Sequence, residues 1–216
     1  MTIRERLLSQ TVVYKTFKNL VLPPASLRRI STEMFTADDG ASVLDLGCGY
    51  GDYAPWFAGR CRYLGIDHNP GYLETARRNN AHLGHGELAP EFICADVSDP
   101  VVAERGPYDL IFLGGVLHHL DDDQVRTLAA QVAPLLTEKG RFLALEPVFD
   151  PEQRLTARLI IASDRGRYVR DAAGYAALLS GALPNVTSEI HPDLLRIPYS
   201  HLLIEARPDG RAGTRP

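Results

Sequence analysis

From residue 41 the chain repeats one pattern: an apolar run, a stop at an acid or a glycine pair, then a stretch of helical period. "ASVLDLG" runs into glycine, "CRYLGID" ends at Asp67, "EFICADV" reaches Asp96, and "YDLIFLGGVL" carries Gly114-Gly115. "GRFLALEPV" is a fifth such run. Between them, "YAPWFAGR", "PGYLETARRNNAHL", a short segment near "VVAERG" and "DDDQVRTLAAQVAPLL" read as helices. Strands that alternate with helices imply parallel β-α-β units. Strands that are apolar almost throughout imply a sheet covered on both faces.

After residue 150 the alternation breaks. Two helices flank the turn "SDRGRYVR", and "VTSEIH" and "SHLLIEA" follow as strands with no long crossover between them, so they pair antiparallel. The expected fold is α/β: a seven-stranded, mostly parallel sheet with helices on both faces and the last strand antiparallel. Residues 1–40 precede the first strand. "RERLLSQTVVYKTFKNLVL" has apolar residues at roughly helical spacing, Pro23-Pro24 ends it, and "ASLRRISTEMF" is a second helix. They are expected to form an N-terminal helical extension or lid, with the main domain at 41–207, cap helices at about 150–182, and a fraying polar tail at 208–216.

The bulk of the sequence narrows the partners. The 216 residues are 45% apolar and 23% charged, with a net charge of −4. No basic run exceeds a pair such as Arg28-Arg29, so no nucleic-acid partner is expected. No apolar stretch is long enough to span a membrane, and the charged start "MTIRERLLSQ" lacks a signal-peptide core, so the expected location is the cytoplasm. Cys48, Cys61 and Cys94 have no CxxC spacing and read as free thiols, with no metal site.

"VLDLGCGYGDY" places glycine at 47, 49 and 51 directly after an apolar strand. In an open parallel sheet, ligands bind beyond the carboxyl ends of the strands, where Asp45, Asp67, Asp96 and Gly114 all fall. The dinucleotide pattern GxGxxG is not met, because the third glycine comes one residue early. A carboxylate at Asp45 also repels a pyrophosphate and suits an ammonium group. Asp67 is placed to accept two ribose hydroxyls, and Asp96 to accept from a purine amino group. A ligand with an ammonium, a ribose and an adenine but no phosphate is S-adenosylmethionine.

At these residues the chain resembles the class I S-adenosylmethionine-dependent methyltransferases of the small-molecule kind, which have a Rossmann-like fold. The likeness rests on "VLDLGCGYG" (43–51), "YLGIDHN" (63–69), "FICADV" (92–97), "YDLIFLGGVLHHLDD" (108–122) and "LLTEKGRFLALEP" (135–147). The resemblance implies that Asp45, Gly47, Cys48 and Gly49 line the methionine end of S-adenosylmethionine. It implies that Asp67 holds the ribose, that His68, Asp96 and Val97 frame the adenine, and that Leu113 and Gly114 pass under the sulfonium. S-adenosylhomocysteine would be the product.

Substrate residues are less sharply marked. His118-His119 precedes three acids that read as helix caps and solvated charge. One histidine is expected to face the cleft as general base while the other packs, with His118 favoured over His119. Arg165, Arg167 and Arg170 cluster with Asp164 and Tyr168. A solvated interhelix turn explains them about as well as an anchor for a carboxylate or phosphate, with Tyr168 positioning the substrate. Tyr14 in the first helix and His201 at the last strand are further candidates to contact substrate, against plain packing roles. The expected function is methyl transfer to a small molecule with an acidic group, by a monomer or homodimer. The alternatives are a non-methylating reaction on the same cofactor, such as cyclisation or decarboxylation, or a non-catalytic binding subunit.

Overall fold

The computed structural model describes residues 22–162 and 167–208. Its strands are β1 (Ser42–Leu46), β2 (Arg62–Asp67), β3 (Glu91–Cys94), β4 (Tyr108–Gly114), β5 (Leu136–Pro147), β6 (Asn185–His191) and β7 (His201–Arg207). They form one seven-stranded sheet in the order β3-β2-β1-β4-β5-β7-β6. β1 to β5 pair parallel. β7 runs against both β5 and β6, so six strands share one direction and β7 opposes them. The chain moves outward from β1 to β3, then returns to β4 on the other side of β1. That reversal opens a crevice beyond the carboxyl ends of β1 and β4.

The helices are α1 (Pro24–Arg29), α2 (Pro70–Asn80), α3 (Pro100–Glu104), α4 (Asp122–Val132), α5 (Leu155–Ala162) and α6 (Ala172–Leu179). The period-two alternation of the strands divides the core between the two sheet faces. Leu44, Leu46, Ile111, Leu113 and Phe142 pack with Val125 and Ala129 of α4 and Tyr175 and Leu179 of α6. Val43, Tyr63, Phe112 and Leu145 pack with Ile30, Phe35, Phe57 and Leu73. Phe112 stacks on Phe35 with ring centroids 4.6 Å apart and on Phe57 at 5.6 Å. Each such pair adds roughly 1 kcal/mol beyond burial, so the segment after α1 is tied to the sheet.

Local chemistry sets the boundaries. Asn69 caps α2 by accepting from the Gly71 amide at 2.9 Å, and Pro70 fills the first helical position. Asp121 and Gln124 form a reciprocal capping box at the head of α4, both bonds 2.9 Å, worth about 1 kcal/mol.

Three elements differ from the sequence reading. "YAPWFAGR" forms only a 3₁₀ turn at Ala54–Trp56, because it lies between Gly51 and Gly59, both at positive φ, and Pro55 lacks an amide donor. The helix at "ASLRRISTEMF" continues past Arg29 as a π turn, Ile30–Met34. β3 stops at Cys94, two residues short of Asp96. The first N-terminal helix, the turn residues 163–166 and most of the tail lie outside the described residues. Among the described residues, no helix is long and apolar enough to cross a membrane.

Candidate active site

The glycine turn after β1 is built by backbone bonds to β2. The Gly47 and Cys48 amides both donate to Ile66 O, at 2.9 and 3.0 Å. The Gly49 amide donates to Asp67 Oδ2 at 3.1 Å, and Asp67 Oδ1 accepts from the Asn69 amide at 2.8 Å. Asp67 thus joins the glycine turn of β1 to the helix start after β2. Gly51, at φ +70, packs so closely that an added Cβ would lie 2.7 Å from Asn80 Nδ2 and 2.8 Å from the Phe92 ring. A Cβ at Gly49 would meet nothing within 4 Å, which leaves the backbone open to a ligand laid against it.

Asp45 is buried, and its Oδ2 accepts from the Tyr63 hydroxyl at 2.5 Å. Burial and the neighbouring Asp45 carboxylate push the Tyr63 hydroxyl well above the usual phenol range, so it stays a donor. Cys48 is buried beside both acids; burial first, then Asp45 and Asp67, push its thiol far up. His68 is 96% exposed by side chain, open to stack on a flat ring. Asp96 is exposed and its Oδ1 accepts from the Ser98 amide and hydroxyl, at 3.0 and 2.9 Å. Val97 packs on the core edge. Leu113 is fully buried, so what it can offer the crevice is its main chain. Gly114 is exposed, with the Tyr53 hydroxyl 3.4 Å from where a Cβ would sit.

The loop after β4 shows a residue that sequence reasoning missed. Glu146, near the end of β5, is fully buried. Its Oε1 accepts from the Val116 and Leu117 amides at 2.8 and 2.9 Å. Its Oε2 accepts from the His118 amide at 3.2 Å and meets His118 Nδ1 at 2.7 Å. The signal for it was an acid inside an apolar strand, "LALEP", which is rarely buried without partners. A carboxylate only accepts, so Nδ1 carries the proton of this bond. His118 is 6% exposed, His119 is exposed, and their ring centroids lie 4.1 Å apart.

The three acids that follow have separate tasks: Asp121 caps α4, Asp122 binds Arg170 at 2.7 Å, and Asp123 binds Arg126 at 2.8 Å. Among the described residues, no cluster of three His, Cys, Asp or Glu could hold a metal ion. Tyr168 is 40% exposed and its amide donates to His118 O at 3.0 Å, which brings it to the histidine loop. Arg167 is exposed. Arg170, grouped with it in the sequence, spends its donors within the protein: on Asp122, Leu117 O, Leu120 O and Tyr168 O. His201 starts β7 opposite Pro147, at the same end of the sheet as Glu146. Tyr14 and Arg165 lie outside the described residues. A cavity of about 550 Å³ lies beside the histidine loop; Asp122, Arg126, Phe149, Arg158 and Arg170 are among its lining residues.

Strand order, the glycine turn and the acid at the end of β2 together define a class I methyltransferase fold. Residues 43–140 match the family model described as a methyltransferase domain. Over those residues the chain is similar to a methyltransferase domain. Phosphoethanolamine N-methyltransferase of Triticum aestivum is 32% identical over 114 residues, which are 51% of this chain and 22% of that protein. The chain thus spans about a fifth of the length of the curated relatives it matches. Human N-acetylserotonin methyltransferase, in complex with S-adenosylmethionine, overlays with a TM-score of 0.59 at 22% identity, covering 77% of this chain and 47% of that one. SibL, an S-adenosylmethionine-dependent methyltransferase in its apo form, overlays at 0.66 and 21% identity, covering 86% and 55%. Likeness at those identities is a likeness of fold.

Proposed function

We propose that this protein transfers the methyl group of S-adenosylmethionine to a small molecule that bears an acidic group. The observation that carries the reading is the Asp67 carboxylate, bonded at once to the Gly49 and Asn69 amides beside the open backbone of the glycine turn. The donor set fits the cofactor. Asp45 meets its ammonium, Asp67 its ribose, His68, Asp96 and Val97 its adenine, and Gly47, Cys48, Gly49, Leu113 and Gly114 line the path between. When bound, S-adenosylmethionine supplies a methyl group on a positively charged sulfur, an electrophile that needs alignment more than activation.

The remaining work falls to the chain. His118, held through Nδ1 by Glu146, is the base that takes a proton from the acceptor. His119 and Tyr168 stand next to it and position the acceptor. An acidic group on the acceptor finds Arg126 and Arg158 in the neighbouring cavity, and Arg167 and His201 are further candidates to contact it. The name of the wheat relative, which acts on a phosphate-bearing amine, supports an acidic acceptor.

Calorimetric titration with S-adenosylhomocysteine tests the cofactor assignment. Wild-type protein should bind it, and Asp67→Ala should lose at least tenfold in affinity; equal affinity in the two proteins overturns the assignment. Incubation with S-adenosylmethionine and phosphoethanolamine, or other phosphate- and carboxylate-bearing acceptors, tests the reaction. Methylated product and S-adenosylhomocysteine should form one for one, whereas product without S-adenosylhomocysteine would mark a non-methylating use of the cofactor.

A further inference from the structure

Arg170 lies on the segment between α5 and α6, yet its guanidinium is committed to the loop that carries His118. It donates to Leu117 O at 3.3 Å, to Leu120 O at 2.9 Å and to Asp122 Oδ1 at 2.7 and 3.0 Å, and back to Tyr168 O at 2.8 Å. The side chain is 11% exposed. Its own segment is bound on both sides. The Tyr168 amide donates to His118 O at 3.0 Å, and the Phe149 amide donates to Arg170 O at 3.1 Å. The guanidinium also lies 5.7 Å from the Tyr175 ring centroid, and the Tyr175 hydroxyl donates to Pro147 O at 3.1 Å, next to Glu146. The circuit closes: Glu146 grips residues 116–118 through their amides, while Arg170 grips residues 117–122 through their carbonyls and the Asp122 carboxylate.

We infer that Arg170 is a positioning residue: it docks the segment before α6 onto the histidine loop and so fixes the direction of the His118 ring. The inference rests on the proposed role of His118 as base. Only a guanidinium suits the place. Its planar fork reaches two carbonyls of the loop and both approaches to Asp122 at once, whereas a lysine ammonium is a single point of charge on a flexible stem. Loss of the fork leaves Leu117 O and Leu120 O without this donor and frees the carbonyl side of the loop. The amide side stays on Glu146, so the loop loosens without coming away. Because the grip comes from the segment that leads into α6, displacement of that segment would release the base.

The test uses the full chain labelled with nitrogen-15, and needs no acceptor. In the wild type the His118 Nδ1–H bonded to Glu146 should give a sharp, downfield imidazole proton, and the amides of residues 116–120 should exchange slowly with deuterium. Arg170→Ala should broaden or remove the imidazole signal and raise exchange across 116–120 at least tenfold. Arg170→Lys should fall between, and Asp122→Asn, which keeps an acceptor oxygen, should change exchange less than fivefold. Tyr108→Phe serves as a control for lost stability alone and should leave the imidazole signal in place. If Arg170→Ala does not fold, the graded response of Arg170→Lys and Asp122→Asn decides. An imidazole signal and exchange rates equal to wild type in Arg170→Ala, or in Arg170→Lys where only that variant folds, overturn the inference. Failure of the functional reading shows separately, as wild-type protein that does not bind S-adenosylhomocysteine.

Discussion

Glu146 Oε2 and His118 Nδ1 lie 2.7 Å apart across 28 positions of sequence, both side chains nearly or wholly buried. The carboxylate also accepts from three successive loop amides, so it anchors the loop and orients its ring together. Glu146→Gln keeps the shape but replaces one accepting oxygen by an NH₂ group facing donors. A hydrogen bond to a charged group contributes about 1.5–3 kcal/mol and a stranded buried donor costs a similar amount. We expect a loss of about 3 kcal/mol and, at this chain length, a fall in Tm of roughly 6–12 °C. Urea and thermal unfolding check it; an unchanged Tm would show that the amides find other acceptors.

Gly51→Ala should cost about 3 kcal/mol. The new methyl meets Asn80 Nδ2 at 2.7 Å and the Phe92 ring at 2.8 Å, and φ +70 is strained for any side chain. Asn80 also donates to Gly51 O at 3.2 Å, so the collision disturbs the bond that holds the turn to α2. The matched change Gly49→Ala meets no atom within 4 Å and pays only the backbone strain, about 1 kcal/mol. Its larger effect should be on affinity for S-adenosylhomocysteine, which calorimetry reads.

The three thiols should separate cleanly. Burial raises the Cys48 and Cys61 thiols, with the acids near Cys48 adding to the rise, while Cys94 is exposed. The thiolate is the reactive form. At pH 8 a disulfide reagent should therefore titrate one cysteine in the native protein and all three in urea. Mass mapping should place the fast label on Cys94.

Alkaline pH should unfold the protein through its raised thiols and tyrosines. Burial pushes the Tyr108 hydroxyl up to about 12, and raises Tyr63 and Tyr175 as well. Each is an acid whose folded form holds its proton longer than the unfolded form. Their contribution to stability is present in full below the ordinary tyrosine value near 10 and is lost as pH rises from about 10 towards 12. The urea midpoint should hold steady from pH 7 to about 8 and then fall, the raised Cys48 and Cys61 thiols contributing first and the tyrosines from about 10. Tyr108→Phe should flatten part of that fall, while losing the 2.7 Å bond to Val102 O at neutral pH.

How much of this was legible in the sequence follows from how local each signal is. The strand pattern and the glycine turn answer to neighbours within a few residues, and β1 to β5 fall where their apolar runs lie. Asn69 and Asp121 cap helices by bonds to residues two or three positions on. The "YAPWFAGR" segment was misjudged because apolar spacing says nothing about a glycine at each end in positive φ. The arginine cluster stayed open between a solvated turn and an anchor because a run of like residues says nothing about which of them finds a partner: Arg170 turns inward to Asp122, 48 positions away, while Arg167 faces solvent.

By itself the sequence determined the fold class, the glycine turn and the acids at the strand ends, because period and turn chemistry are written in adjacent residues. Only the tertiary structure decided that Glu146 holds His118, that Tyr63 holds Asp45, and that Arg170 grips the histidine loop. Each of these is a buried polar group meeting a partner from a different strand or segment. Burial makes such a group costly unless it is paired, and only the packed sheet determines which distant partner comes within reach.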